Sequence, residues 1–214
     1  MKKIIAINAS PRGNWNTAQL VREAASGAQE KGIEVEVVNL YELDAFTGCR
    51  SCFACKTERF EGICMVKDGL AELLGKIRVA DGLILGSPIY LGDMSAGYRA
   101  LYERLVFQYI TYRHEDVTCN QRPIPVLLVV TSNCAVEIYD KINYTKMVDS
   151  HVKSLDRHVG PTTLLTVGST KQVDDYSRFN WTIFDPEERI KRHEEIFPSE
   201  LARARELGAG LVEL

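Results

Sequence analysis

The sequence predicts an α/β chain built on a doubly wound, five-stranded parallel sheet in the order 2-1-3-4-5. Three observations predict it. Short β-rich apolar runs recur five times. Segments with helically spaced apolar residues separate them. The loops closing the first and third runs carry hydroxyls, amides, proline and glycine, the chemistry of ligand-bearing strand ends in such sheets.

Lys3 to Asn8 (KIIAIN) is the first strand, and Ala9 to Asn14 is loop. Thr17 to Lys31 reads as a helix, with Leu20, Val21, Ala24, Ala25 and Ala28 on one face and Gly32 as its stop. Ile33 to Leu40 is the second strand. Asp68 to Val79 reads as a helix, Gly82 to Leu85 as a buried strand, and Gly86-Ser87-Pro88 as a turn. Ala96 to Val106 is helical. Val126 to Thr131 (VLLVVT) is the clearest buried strand. Ile138 to Leu155 reads as a helix and Thr162 to Val167 as the fifth strand. Glu187 to Leu214 reads as a charged helix or pair of helices, broken at Pro198. The chain reads as a single domain over 1–214, with a cysteine-rich insertion over 47–66 and a helical tail over 185–214. Phe107 to Pro125 reads as a second insertion.

The 214 residues are 45% hydrophobic and 26% charged, with a net charge of -3. This composition suits a globular chain and excludes the basic face that nucleic acid or an anionic membrane requires. No apolar run approaches the roughly 18 residues of a membrane span. Asn8, Ser10 and Arg12 interrupt the apolar start before a signal peptide can form, so a cytoplasmic location is expected.

The loop from Ser10 to Ala18 leads from the first strand into a helix. A helix start offers free N–H groups and a positive dipole end. Ser10, Asn16 and Thr17 add side-chain donors, and Arg12 adds a charged one. A simple cap needs one such residue, and this loop has several, so it reads as a site for a terminal phosphate. It carries neither a G-x-G-x-x-G dinucleotide signature nor a G-K-[ST] loop. After the third strand, Ile89, Tyr90 and Met94 offer a flat apolar wall, with Pro88 and Gly92 shaping the turn.

Four of the six cysteines, Cys49, Cys52, Cys55 and Cys64, fall in one sixteen-residue window. The C-x2-C-x2-C run suits three corners of an iron–sulfur cluster, with Cys64 returning after a polar loop. A Cys₄ zinc site and free thiols are the alternatives. Cys119 and Cys134 read as buried thiols. His151 and His158 read as one solvated helix stripe, Glu187 to Glu195 as a solvated face, and Trp181 and Phe184 as packing on the body or on another subunit.

Ser10-Pro11-Arg12 with Asn16-Thr17-Ala18, and Ser87-Pro88-Ile89-Tyr90 with Met94-Ser95-Ala96, resemble the NADPH-dependent FMN reductase group of flavodoxin-like proteins over about residues 3 to 106. The cysteine window resembles the iron–sulfur flavoprotein branch. The resemblance implies FMN, with its phosphate held by Ser10, Arg12, Asn14, Asn16, Thr17 and Ala18. Pro88, Ile89, Tyr90, Leu91 and Gly92 would line the ring, with a third contact from Thr131, Ser132 and Asn133. It implies a [4Fe-4S] cluster on Cys49, Cys52, Cys55 and Cys64, NAD(P)H or ferredoxin as donor, a small-molecule acceptor, and a homodimer or homotetramer. The chain departs from the group's pattern at Ala9, at Arg99 and Glu103-Arg104, and in Thr131 to Cys134, which lacks glycine. No protein acid, base or nucleophile is expected, because a flavin carries the chemistry itself. A clusterless FMN or quinone reductase and a flavin-binding regulatory module are the competing functions.

Overall fold

The computed structural model describes residues 1–212. Glu213 and Leu214, the end of the expected tail and domain, lie outside the described residues. In chain order the elements are β1 (Lys3–Asn8), α1 (Asn16–Glu30), β2 (Glu34–Asn39), α2 (Gly69–Val79), β3 (Gly82–Tyr90), β4 (Asp93–Met94), α3 (Ala96–Tyr109), β5 (Val126–Thr131), α4 (Tyr144–His158), β6 (Thr162–Val167), α5 (Pro186–Glu195) and α6 (Phe197–Gly210). The sheet order is β2-β1-β3-β5-β6, all parallel, with the two-residue β4 antiparallel to the end of β3. Without β4 this is the expected 2-1-3-4-5 order; with it the strands number six, not five.

Alternation along the central strands splits the core in two. Ile5, Ile7, Leu83, Leu85, Leu128 and Val130 face one layer, packed against α2, α3 and α4. Ile4, Ala6, Ile84, Leu127 and Val129 face the other, packed against α1 and α6. Central strands covered on both faces read as unbroken apolar runs, which is why Val126–Thr131 was so legible. Close approach fixes the helices. A Cβ on Gly86 would stand 2.3 Å from Val21 Cγ2, so glycine lets α1 sit down on β3 beside Thr17. A Cβ on Gly208 would meet Ala24 O at 1.9 Å, so α6 crosses α1 backbone to backbone.

Several boundaries differ from the sequence reading. Gly86-Ser87-Pro88 is not a turn, because β3 continues to Tyr90. Pro88 is tolerated there because β1 stops pairing at Gly86 and Pro88 is used only through its carbonyl, which accepts from the Ser95 amide at 3.1 Å. The insertion expected from Phe107 begins later, since α3 runs to Tyr109. The helix expected from Ile138 starts at Tyr144, after a 3₁₀ turn over Val136–Ile138 and a left-handed Asn143 (φ 62). Pro198 does not break the tail. The break is at Ile196, and Pro198 lies in the first turn of α6, where its missing N–H costs nothing.

His151 is buried, not solvated. It lies 3.4 Å from Tyr98 Oη through Nδ1 and 3.2 Å from Asp93 through Nε2, and burial pushes its pKa down against the pull of Asp93. His158 is half-buried, with Nδ1 enclosed and lacking a partner among the described residues. α5 does bury nothing, as a solvated face should. Cys119 and Cys134 are half-buried rather than buried.

Candidate functional site

The loop between β1 and α1 lies at the carboxyl end of the sheet, beside the ends of β3 and β5. Trp15 occupies the cap position of α1 and gives no side-chain cap. The first-turn amides are therefore not capped by a side chain, as an anion site at a helix start requires. A cavity of about 150 Å³ opens there, lined by Ser10, Arg12, Asn16, Thr17, Pro88 to Tyr90 and Thr131 to Asn133. The structure thus brings together most of the residues the sequence singled out. Thr17 Oγ1 lies 2.8 Å from Thr131 Oγ1, joining the α1 start to the β5 end. Ser10 Oγ accepts the Arg12 amide at 3.1 Å, which leaves the hydroxyl proton free to donate outward.

Four expected residues do not line this cavity. Asn14 points away and accepts from Arg22 at 3.1 Å. Ala18 is buried, so only its backbone could serve. Leu91 is fully exposed at φ 52, and Gly92 follows at φ 87, so together they make the β3–β4 turn rather than the wall.

A strap over residues 170–172 was not foreseen. Thr170, Lys171 and Gln172 also line the cavity. Asn16 Nδ2 donates to Lys171 O at 2.7 Å, Trp15 Nε1 to the same carbonyl at 3.0 Å, and Arg12 to Gln172 O. The Arg12 guanidinium stacks 3.9 Å above the Trp15 ring. Tyr176 fixes the strap by donating to Gln172 Oε1 at 2.8 Å. Tyr176 also anchors the expected aromatics, edge-on to Trp181 and Phe184 at 6.1 and 5.9 Å. Trp181 and Phe184 line an adjoining cavity of about 440 Å³, whose wall shares Asn133 and Gln172 with the first.

The second centre is the cysteine window, between the end of β2 and α2. Cys49, Cys52, Cys55 and Cys64 line one pocket with Phe53, Arg104, Phe107 and Gln108. All six cysteines are free thiols, and no group of three or more His, Cys, Asp or Glu among the described residues is arranged to hold a single metal ion. Ser51 (φ 52) and Phe53 (φ 56) are left-handed on either side of Cys52. Such positions cost of order 1–3 kcal/mol each and persist where surroundings impose them, often at functional sites.

One face of α3 holds the window from beneath through side-chain bonds to both of its ends. Arg104 Nε donates to Cys64 Sγ at 3.4 Å, while its terminal nitrogens hold Asp68 at 2.6 and 2.7 Å and Val66 O at 3.0 Å. Glu103 accepts the Cys49 amide at 3.1 Å, and Gln108 Oε1 accepts the Cys64 amide at 3.1 Å. Lys56 caps the carbonyl end of α3, donating to Ile110 O at 2.6 Å. Burial pushes the Cys55 thiol up, and Lys56 pulls against it. Arg104 and Gln108 were missed in the sequence, although polar residues four apart on a helix that buries Tyr98, Leu101 and Leu105 are a readable signal.

The residues fit a sulfur-bound cluster on one further observation. Gln108 Nε2 is a buried donor with no partner among the described residues, in the wall of the thiol pocket. The first cavity fits a phosphate by its donor set and by the helix start without a side-chain cap.

The sequence profile described as NADPH-dependent FMN reductase matches residues 2–134. The chain belongs to this family. An iron–sulfur flavoprotein of Methanocaldococcus jannaschii is 43% identical over 102 residues, 48% of this chain and 51% of that protein. Another, of Methanosarcina thermophila, is 34% identical over 104 residues, 49% of this chain and 52% of that protein. The chain spans about half the length of the curated relatives it matches. Among solved structures, an NAD(P)H:quinone oxidoreductase from Methanothermobacter marburgensis superposes with a TM-score of 0.65 at 18% identity, covering 98% of this chain and 96% of that one. An FMN-dependent NADH-azoreductase from Bacillus anthracis, in complex with FMN, does so with a TM-score of 0.64 at 12% identity, covering 99% and 100%. At these identities the likeness is one of fold, and the fold is flavodoxin-like. The family match takes in both centres of this FMN reductase relative but not the strap, β6, α5 or α6. No described helix is long and apolar enough to cross a membrane.

Proposed function

We propose that this protein is an FMN-dependent oxidoreductase of the iron–sulfur flavoprotein kind, a single cytoplasmic domain over 1–214 that works as a homodimer or homotetramer. The observation that carries the reading is the pairing of a phosphate cradle at the β1–α1 turn with four thiols lining one pocket. FMN exchanges one or two electrons when bound, and a [4Fe-4S] cluster exchanges one.

Ser10, Asn16, Thr17 and the first-turn amides of Asn16, Thr17 and Ala18 would hold the phosphate, with Asn14 steadying the loop through Arg22. Arg12 would exchange the neutral Gln172 carbonyl for the phosphate, the stronger acceptor of a charged donor. Pro88, Ile89 and Tyr90 would bear on the ring, the Leu91-Gly92 turn would close its edge, and Thr131, Ser132 and Asn133 would supply the third contact. Cys49, Cys52, Cys55 and Cys64 would ligate the cluster. A small acceptor would reach the flavin through the cavity of Trp181 and Phe184, and NAD(P)H or a ferredoxin would supply electrons. A clusterless NAD(P)H-dependent reductase is the second reading, favoured by the names of the solved relatives.

Arg12→Ala tests the cradle. The variant is expected to bind FMN about 10- to 150-fold more weakly, since a hydrogen bond to a charged group contributes about 1.5–3 kcal/mol. Riboflavin, which lacks the phosphate, should bind nearly as to the parent. Isothermal titration with both ligands measures this, and equal losses for the two would remove the phosphate from this loop.

A further inference from the structure

Buried side-chain donors without an acceptor are rare in folded proteins, because leaving one unmade costs about 1–3 kcal/mol. Gln108 presents such a donor. The residue is 3% exposed, it sits on α3, and it lines the pocket of Cys49, Cys52, Cys55 and Cys64. Its orientation is fixed by chemistry. The Cys64 amide is a donor and requires an oxygen, so the carboxamide oxygen faces that amide at 3.1 Å and the nitrogen is left over. The same corner holds a second donor, Arg104 Nε, 3.4 Å from Cys64 Sγ. Two N–H-bearing side chains from one helix therefore line the thiol pocket, one of them on the return cysteine and the other without an acceptor among the described residues.

We propose that Gln108 is a positioning residue that tunes the cluster's reduction potential, its Nε2 donating to a sulfur of the group held by the four thiols. The inference rests on the cluster reading and goes beyond it by assigning what sets the potential. Adding one electron to the cluster increases the negative charge on its sulfurs and breaks no bond. Donors to those sulfurs favour the reduced form and raise the potential. Gln108 also ties this donor to the Cys64 backbone, so the corner is held by one side chain through both of its ends.

Gln108→Leu and Gln108→Glu test it in anaerobically prepared, cluster-loaded protein. Leu removes both contacts, while Glu keeps an oxygen for the Cys64 amide and replaces the donor. Iron and sulfide analysis with an EPR-monitored redox titration gives the readouts. Both variants are expected to keep the parent's iron and sulfide, and in both the reduction equilibrium should shift at least about tenfold toward the oxidised form, about 59 mV lower for one electron. An unchanged potential in both variants, or loss of iron from both, overturns the tuning role while leaving the cluster in the parent. A parent without iron and sulfide overturns the cluster reading, and the inference falls with it.

Discussion

Cys55→Ser is expected to lose iron and acid-labile sulfide while keeping FMN. Cys55 is the third cysteine of the run and, at 7% exposure, the most buried of the six. Its environment sets the direction. Burial disfavours a bare thiolate there, with the Lys56 ammonium opposing, so an ionised sulfur at this position is best stabilised by direct bonding to a metal. Serine offers a harder, less acidic ligand of similar size, so it should fold but fail to ligate. FMN should stay, because the phosphate loop and the thiol pocket share no lining residue. Electron delivery from a one-electron donor should fall sharply, while NAD(P)H-driven reduction of the flavin should persist. Metal analysis beside flavin fluorescence checks both halves. Joint loss of iron and flavin would mean that the two centres fold as one unit, and a variant with the parent's iron would exclude Cys55 as a ligand.

The second large effect is on stability. Arg104 is 1% exposed and makes a two-pronged contact with Asp68 at 2.6 and 2.7 Å. Asp68 caps α2 by accepting from the Leu70 amide at 3.1 Å and also accepts from Thr47 at 3.2 Å. One buried ion pair therefore joins α3, the start of α2 and both ends of the cysteine window. Removing Arg104 leaves the half-buried Asp68 carboxylate with its two amides but no cation, a loss near the lower end of the ~3–5 kcal/mol that breaking a buried pair costs. Arg104→Ala should show that loss as a lower urea midpoint at unchanged slope. Arg104→Lys should recover only part, since one ammonium cannot reach Asp68, Val66 O and Cys64 Sγ as the three guanidinium nitrogens do.

The pH dependence has a definite sign. Burial pushes the Asp68 carboxyl up, but Arg104 and the two amides more than offset it and hold it below its ordinary 3.8. Its contribution is therefore present above that value and lost as the pH falls through the folded value. Arg104→Ala should unfold at a higher pH on the acid side than the parent. A variant with parental stability and an unchanged acid limb would show that the pair is structurally idle.

The central strands β1, β3 and β5 were legible because strands covered on both faces demand unbroken apolar runs, and the partly exposed edge strands β2 and β6 by their β-branched residues. That Ser10, Asn16 and Thr17 would share one cavity was legible because all three gather at one helix start. Pro88 misled, because proline signals a turn unless the neighbouring strand has already ended, and only the β1–β3 register shows that. His151 misled in the same way, since helical spacing cannot report Asp93 and Tyr98, distant in sequence, closing over it. The strap at Lys171 and Gln172 left no local trace. Its bonds to Trp15, Asn16 and Arg12 use backbone carbonyls, which every residue has. The cysteines were legible as a group, but not the helix that holds them. Arg104 and Gln108 interrupt the apolar face of α3 and so could have been read, but Glu103 looks like an ordinary polar position until α3 is laid along the window.

The most direct test of the whole account is the cofactor content of the protein purified without oxygen. Acid extraction and chromatography identify the flavin, and iron and sulfide are counted beside it. The account predicts FMN, at one per chain, with about four irons and four sulfides from one cubane cluster. FAD in place of FMN, or no flavin after reconstitution with FMN, would contradict the phosphate cradle. FMN without iron or sulfide would contradict the cluster and leave the chain a clusterless FMN reductase.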